Sequence, residues 1–362
     1  MLDLARESGK AAFPGFPMTS QYICSTDEQV LVTGANGFIG VRIVECLLHY
    51  GWRNIRCFVR PSSRLERLEK VRSRYAQQSN IQIVVGDLLS AADCRKATEG
   101  VSIIFHLAAG FDKAFAGAFM NSALTTRNLL EAFLQTGKPK RFVNVSSFAV
   151  YSNLHMKRGA LLDESCPLED NPQERHDAYC FGKLKQEELV QEYGKKQGLP
   201  FVILRPGAVF GPGKKNLSGR VGIDTFGFFI HLGGSNVLPL TFVDNCAEAI
   251  VLAGLKPGVD GEIFNVVDDE LLTSKQFLNA YKERVKGFFS VSIPYFLAYW
   301  LCVMWETYSR RSKQLPPAFN RRRCSAEWKG NRYTNRKLRE RLGWQPRIGM
   351  KAAMASFLSQ FD

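Results

Sequence analysis

Three side chains carry the chemistry that this sequence makes most testable: Ser147, which follows an apolar run, and Tyr179 and Lys183, four residues apart. A phenol with a pKa near 10 is a poor acid or base at neutral pH, but a neighbouring cation favours its anion. Residues 178–192 have helical character, so Tyr179 and Lys183 fall on one face, one turn apart. In that arrangement Tyr179 shuttles a substrate proton, and Ser147 hydrogen-bonds a carbonyl or carbinol oxygen. The alternative reading of Lys183 is an ordinary surface salt bridge to Glu187.

Those side chains need elements to position them and a hydride carrier to act beside. Gln29-Val-Leu-Val32 reads as a strand, Thr33-Gly-Ala-Asn-Gly-Phe-Ile-Gly40 as a turn, and Val41 to Leu48 as a helix. Glycines at 34, 37 and 40 allow a sharp bend, a close approach to a pyrophosphate and tight packing of helix on strand. The turn therefore predicts a bound dinucleotide. Its oxidised nicotinamide ring is the second cation expected beside Tyr179, and its ribose hydroxyls are the expected partners of Lys183. A second strand over 54–59 closes on Arg60, with no carboxylate before Glu66. An Arg at this point suits a 2′-phosphate, which favours NADP(H) over NAD(H), although NAD(H) stays open. Strands at 81–85 and 101–106 end in small or polar residues suited to a cofactor crevice. Asp87 is placed to accept from the adenine amino group, and Ala108 and Ala109 leave room for a ribose. His106 reads as a packed strand-end residue. A fifth strand, 141–145, delivers Ser146 and Ser147.

With these residues in this order, the chain resembles the extended short-chain dehydrogenase/reductase family, also called the NAD-dependent epimerase/dehydratase family. The resemblance runs from about residue 28 to 362. It includes Thr33 to Gly40, His106 to Ala109, Asn121 to Asn128, Val145 to Tyr151, Tyr179 with Lys183, Leu204 to Gly213, Thr241 to Asn245 and Leu342 to Pro346. It implies that Ser147 rather than Ser146 is the catalytic hydroxyl, and that Pro206 to Val209 lie on the nicotinamide side. The implied cofactor set is Gly34, Asn36, Gly37, Phe38, Ile39, Gly40, Arg60, Asp87, Leu88, Leu107, Ala108, Ala109, Tyr179, Lys183, Pro206 and Val209. Two departures stand out. The family's Asn-x-x-Gly-Thr helix motif reads Asn121-Ser-Ala-Leu-Thr125 here, and the Arg-x-Gly-Asp stretch of nucleotide-sugar members is absent. Members pair as homodimers through helices matching 113–136 and 177–197, so a homodimer is expected.

The 362 residues, 45% of them hydrophobic, are enough for a large α/β core with a smaller lobe. The expected fold class is α/β: a Rossmann-type doubly wound parallel sheet with a discontinuous C-terminal substrate lobe. Residues 28–206 plus about 235–267 form the dinucleotide-binding domain, with a late strand at 262–267 rejoining the sheet. About 207–234 plus 268–362 form the lobe. Residues 1–27 read as a flexible tail with no signal-peptide run. The nine cysteines have no metal-ligand spacing and fit reduced thiols in a cytoplasm, so neither a metal nor a disulfide framework is expected.

The net charge of +14 is uneven: from Glu306 to Asp362 there are 14 Lys and Arg against 4 acids. Just before lies an uncharged run, Gly287 to Trp305, which divides into a strand-like piece and a helix starting near Pro294. Three fates stay open for that helix: burial in the lobe, peripheral contact of 293–311 with a membrane surface, or a full span. No recognition motif accompanies the charge, so nucleic acid is not an expected partner. The small-molecule substrate is a sugar or sugar nucleotide, or alternatively a steroid-like or lipid-like alcohol or ketone. A non-catalytic NADP-sensing module would be expected to lack the Tyr or the Lys, and both are present.

Overall fold

The computed structural model describes residues 22–225, 227–285, 288–312 and 319–362. Seven apolar strands form one parallel sheet: β1 Gln29–Thr33, β2 Asn54–Val59, β3 Asn80–Val85, β4 Val101–His106, β5 Arg141–Val145, β6 Phe201–Pro206 and β7 Ile263–Val266. Their spatial order is β3-β2-β1-β4-β5-β6-β7. The order reverses between β1 and β4, which opens a crevice beyond the carboxyl ends of those strands. The central strands are buried on both faces, so they read as unbroken apolar runs rather than alternations.

Side chains leave the sheet with a period of two. Val30, Val32, Ile103, Phe105, Val143 and Val145 join a core on one face, with helices α1 Gly40–His49 and, late in the chain, Val243–Leu255. Leu31, Ile104 and Phe142 join a core on the other face, with Leu129, Leu130 and Phe133 of helix α2, Thr125–Thr136, and Val190 of helix α3, Ala178–Gln197. Leu338, Leu342, Trp344, Met350 and Phe357, near the C-terminus, return to the first of these cores.

Three local features differ from the sequence reading. The helix expected over 113–136 is broken: Phe115–Ala118 passes through one π-helical stretch, Phe119–Leu124, before α2. There the Ser122 carbonyl accepts from the hydroxyls of Thr125 (3.0 Å) and Thr126 (2.6 Å), while the Ser122 hydroxyl accepts from Gly110 N–H. Of the expected flexible tail, residues 1–21 lie outside the described residues, and 22–27 dock. Ile23 N–H donates to Leu255 O at 3.0 Å, and the Tyr22 ring lies 5.4 Å from that of Trp52. The helix near Pro294 extends beyond the uncharged run and becomes α4 of our numbering, Tyr295–Ser312, preceded by the short strand Ser290–Ser292. That strand edges a three-stranded sheet with Gly222–Thr225 and Phe228–His231. No helix among the described residues is long and apolar enough to cross a membrane.

Candidate active site

The glycine turn has the geometry its spacing predicts. Gly34 follows β1 in the left-handed region (φ +67°), and the Gly37 N–H donates back to its carbonyl at 2.9 Å. A Cβ on Gly40 would sit 2.1 Å from the Gly34 oxygen, so no other residue fits the first turn of α1 without rearrangement. Ile39, ahead of that helix, offers no side-chain cap, which leaves first-turn N–H groups for water or an anionic ligand. A dinucleotide pyrophosphate therefore suits this cradle. Phe38 and Ile39 pack against the core. Lys214 reaches the turn from the loop after β6: its ammonium donates to Val209 O (3.1 Å) and lies 6.0 Å from the centroid of the Phe38 ring. Burial pulls its pKa below the usual lysine range.

Next to the turn, the tip of β4 is locked in place. The Thr33 hydroxyl accepts from the N–H groups of Leu107 (3.2 Å) and Ala108 (3.3 Å) and bonds Nδ1 of His106 (2.8 Å). His106 Nε2 meets Thr126 Oγ1 at 2.9 Å, and the Gln186 amide donates to Thr126 Oγ1 and to Ala108 O. Complete burial, with Lys183 adding to it, lowers the His106 pKa to about 3, so the ring is neutral and structural. Asp87 is exposed, with one carboxylate oxygen accepting from Leu89 N–H at 2.9 Å. Leu88 is buried beside it, and its carbonyl accepts from the Asn128 amide. Arg60 is exposed immediately after β2.

Beyond β5 the two serines part company. Ser146 Oγ is buried without a hydrogen-bond partner, whereas Ser147 accepts from Ala149 N–H (3.1 Å) and lies near enough to the Tyr179 phenol to act on its acidity. The helix carrying Tyr179 is fixed at both ends. Asp177 accepts from Cys180 N–H at 2.8 Å, and Gly198 ends the helix in the left-handed conformation. Lys183 is buried, donating to Val145 O at 2.6 Å and to Gln186 Oε1 at 3.0 Å. It is not an ion-pair partner of Glu187. That carboxylate is gripped by Arg205 through two bonds of 2.9 and 2.6 Å, and Arg205 also donates to the Tyr151 hydroxyl.

The electrostatics depart from the expectation that Lys183 favours the Tyr179 anion. Burial pushes the phenol up to about 12, and Ser147 is the group that acts to lower it. Lys183, whose ammonium lies 6.0 Å from the centroid of the tyrosine ring, is itself brought down to about 7 by burial. Two neighbours escaped the sequence reading. One is Lys214; the other is Phe111, 82% exposed, whose ring stacks on Tyr179 at 5.1 Å and 7°. The only local signal for Phe111 is its place directly after Leu107-Ala-Ala-Gly110.

The model of a protein family described as "NAD dependent epimerase/dehydratase family" matches residues 30–266. The chain belongs to that family. As a member of the NAD dependent epimerase/dehydratase family it is an enzyme of that type, built on the Rossmann-type sheet described above. Isoform 1 of the 3beta-hydroxysteroid-dehydrogenase/decarboxylase of Arabidopsis thaliana is 26% identical over 253 residues, 67% of this chain. The chain spans 56% of the length of that relative and 62% of isoform 2. The mouse sterol-4-alpha-carboxylate 3-dehydrogenase (decarboxylating) is 24% identical over 372 residues, 98% of this chain and 96% of the mouse protein. Among solved structures, the UDP-glucuronic acid 4-epimerase of Bacillus cereus, in complex with UDP-glucuronic acid and NAD, superposes with a TM-score of 0.69. It is 21% identical and covers 92% of this chain and 98% of its own, a likeness of fold.

Proposed function

We propose that this enzyme interconverts a carbinol and a ketone on a hydrophobic, sterol-like substrate, with Ser147, Tyr179 and Lys183 as its working side chains. The reading rests on one observation: the Lys183 ammonium, 6.0 Å from the centroid of the Tyr179 ring, is anchored at 2.6 Å to the carbonyl of Val145, two residues before Ser147. Ser147 holds the substrate oxygen. Tyr179 passes a proton between its phenol oxygen and that atom, and Lys183 binds the ribose next to it. Gly34, Asn36, Gly37 and Gly40 hold the pyrophosphate, Asp87 and Leu88 the adenine end, and Leu107, Ala108, Ala109, Pro206 and Val209 the remainder of the dinucleotide. A nicotinamide dinucleotide, when bound, supplies the hydride acceptor or donor. NADP(H) is favoured, because Arg60 follows β2 directly, an Arg there suits a 2′-phosphate, and residues 54–65 contain no carboxylate.

The sterol-like substrate is supported by the mouse sterol dehydrogenase, which matches almost end to end, and by the absent Arg-x-Gly-Asp stretch. A second reading, epimerisation or dehydration of a sugar nucleotide, has its own support: a fold neighbour crystallised with UDP-glucuronic acid and NAD. A homodimer through 113–136 and 177–197 is supported by Phe119 and Met120, both exposed on the first of these segments. The deciding assay offers the purified chain a 3β-hydroxysterol with NADP⁺ or NAD⁺, and separately UDP-glucose and UDP-glucuronic acid. Dinucleotide reduction with the sterol supports the first reading. Conversion of a UDP-sugar, with the sterol inert, replaces it with the second.

A further inference from the structure

The helix α4, Tyr295–Ser312, leaves most of its bulky apolar side chains on its outer side. It meets the lobe through Ala298, Cys302, Glu306 and Ser309, which are buried, with Ala298 and Cys302 clustered on Leu232, Cys324 and Trp328 and the half-buried rings of Tyr295 and Tyr299 packed beside them. Seven other large side chains face away: Phe296 (74% exposed), Trp300 (56%), Met304 and Tyr308 (59%) at four-residue spacing, with Leu297, Leu301 and Trp305 as a second ridge beside them. A helix resting on a soluble lobe normally reverses this, turning charge outward and bulk inward. Immediately before it, the edge strand Ser290–Ser292 leaves Phe289 and Val291 exposed as well. Scattered exposed apolar residues are ordinary, but an ordered double ridge of seven is not.

We infer that this ridge is a docking face for the surface of an anionic lipid bilayer, on which the helix lies flat. Three observations select that occupant. The ridge holds Trp, Tyr, Phe and Met, and aromatic residues with one apolar and one polar end are those that settle at a membrane–water interface. Arg310 and Arg311 close the same helix and are both exposed, Arg310 also pairing with Glu306. No described helix, α4 included, is long and apolar enough to cross a bilayer, so contact is with the surface.

The test uses the full chain without cofactor or substrate, so it is independent of the proposed reaction. The protein is sedimented with vesicles of phosphatidylcholine alone and with vesicles containing about 30% phosphatidylserine. The expected result is retention on the anionic vesicles with a blue shift of tryptophan emission, and weaker retention on the neutral ones. Trp300→Glu should reduce retention by about tenfold or more, and Trp300→Phe should keep it, both with unchanged circular dichroism and dinucleotide binding. Four outcomes overturn the inference: no retention on either vesicle, equal retention on both, retention unaltered by Trp300→Glu, or a self-associated mass that Trp300→Glu abolishes, which would give the ridge to a second copy of the chain.

Discussion

The crevice beyond β1, β4 and β5 and the outer ridge of α4 treat their side chains in opposite ways. In the crevice, polar groups are held by specific partners: Thr33 by two backbone N–H groups and His106, Gln186 by Thr126 and Ala108, Lys183 by Val145. On the ridge, bulky apolar groups stand in solvent. Positions of the first kind trade fold against chemistry, and a substitution there registers in both. Positions of the second kind contribute little to the folded chain alone, so they reveal themselves only in the presence of a partner.

Substitutions can sharpen or break this contrast. The largest effect is expected from Tyr179→Phe, which should lower turnover of the accepted substrate by two to four orders of magnitude with dinucleotide affinity retained. Steady-state kinetics that came out unchanged would remove Tyr179 from the reaction. Gly40→Ala places a methyl group 2.1 Å from the Gly34 oxygen and should cost about 2–3 kcal/mol of stability, together with dinucleotide binding, as read by urea unfolding and fluorescence titration. Arg60→Ala should weaken NADPH by about tenfold and leave NADH nearly unaffected, since only a charge-assisted contact with the 2′-phosphate is lost. Equal affinities in both proteins would dismiss the NADP preference.

Lys183 gives a pH-dependent case. Its folded pKa, about 7, lies below its ordinary value of 10.5, so between those limits the unfolded chain holds a proton that the folded chain does not. Wild-type stability attributable to this residue therefore rises with pH across that window, and below pH 7 the cost of burying the charge is felt in full. Lys183→Met should melt several degrees (about 3–6 °C) higher than wild type at pH 6.5, with the gap shrinking toward pH 10, while activity is lost. A gap that stays constant with pH would mean that the lysine is not titrating. The smallest effect is expected from Trp300→Glu: stability within about 0.5 kcal/mol of wild type, because the side chain is already outside.

What could be read in advance follows from what spacing alone fixes. Tyr179 and Lys183 share a face because any α-helix puts residues four apart together, and the glycines at 37 and 40 close on the Gly34 carbonyl oxygen because the turn between β1 and α1 is short. The β7 strand could be read as apolar, and it joins the sheet at the edge beside β6. Contacts made at long range were out of reach. Glu187 is taken by Arg205 rather than by Lys183, and Lys214 comes back to Phe38, 176 residues away in sequence. The π-helical stretch at Phe119–Leu124 depends on hydroxyls competing for one carbonyl, which no apolar period encodes. For α4, aromatic content marks the helix, but only the residues that meet Trp328 and Cys324 tell which side is inside.

The face-to-face stack of Phe111 on Tyr179 gives the protein an optical and magnetic signature of its own state. Protons above an aromatic plane are shielded by its ring current, so the Tyr179 ring resonances should lie upfield of ordinary tyrosine while Phe111 covers them. Phe111 is on a loop at the mouth of the crevice, and any ligand that takes its place over the phenol will return those resonances downfield. Titrating specifically labelled tyrosine would then report occupancy of the crevice directly, before a turnover assay exists and whatever the ligand proves to be.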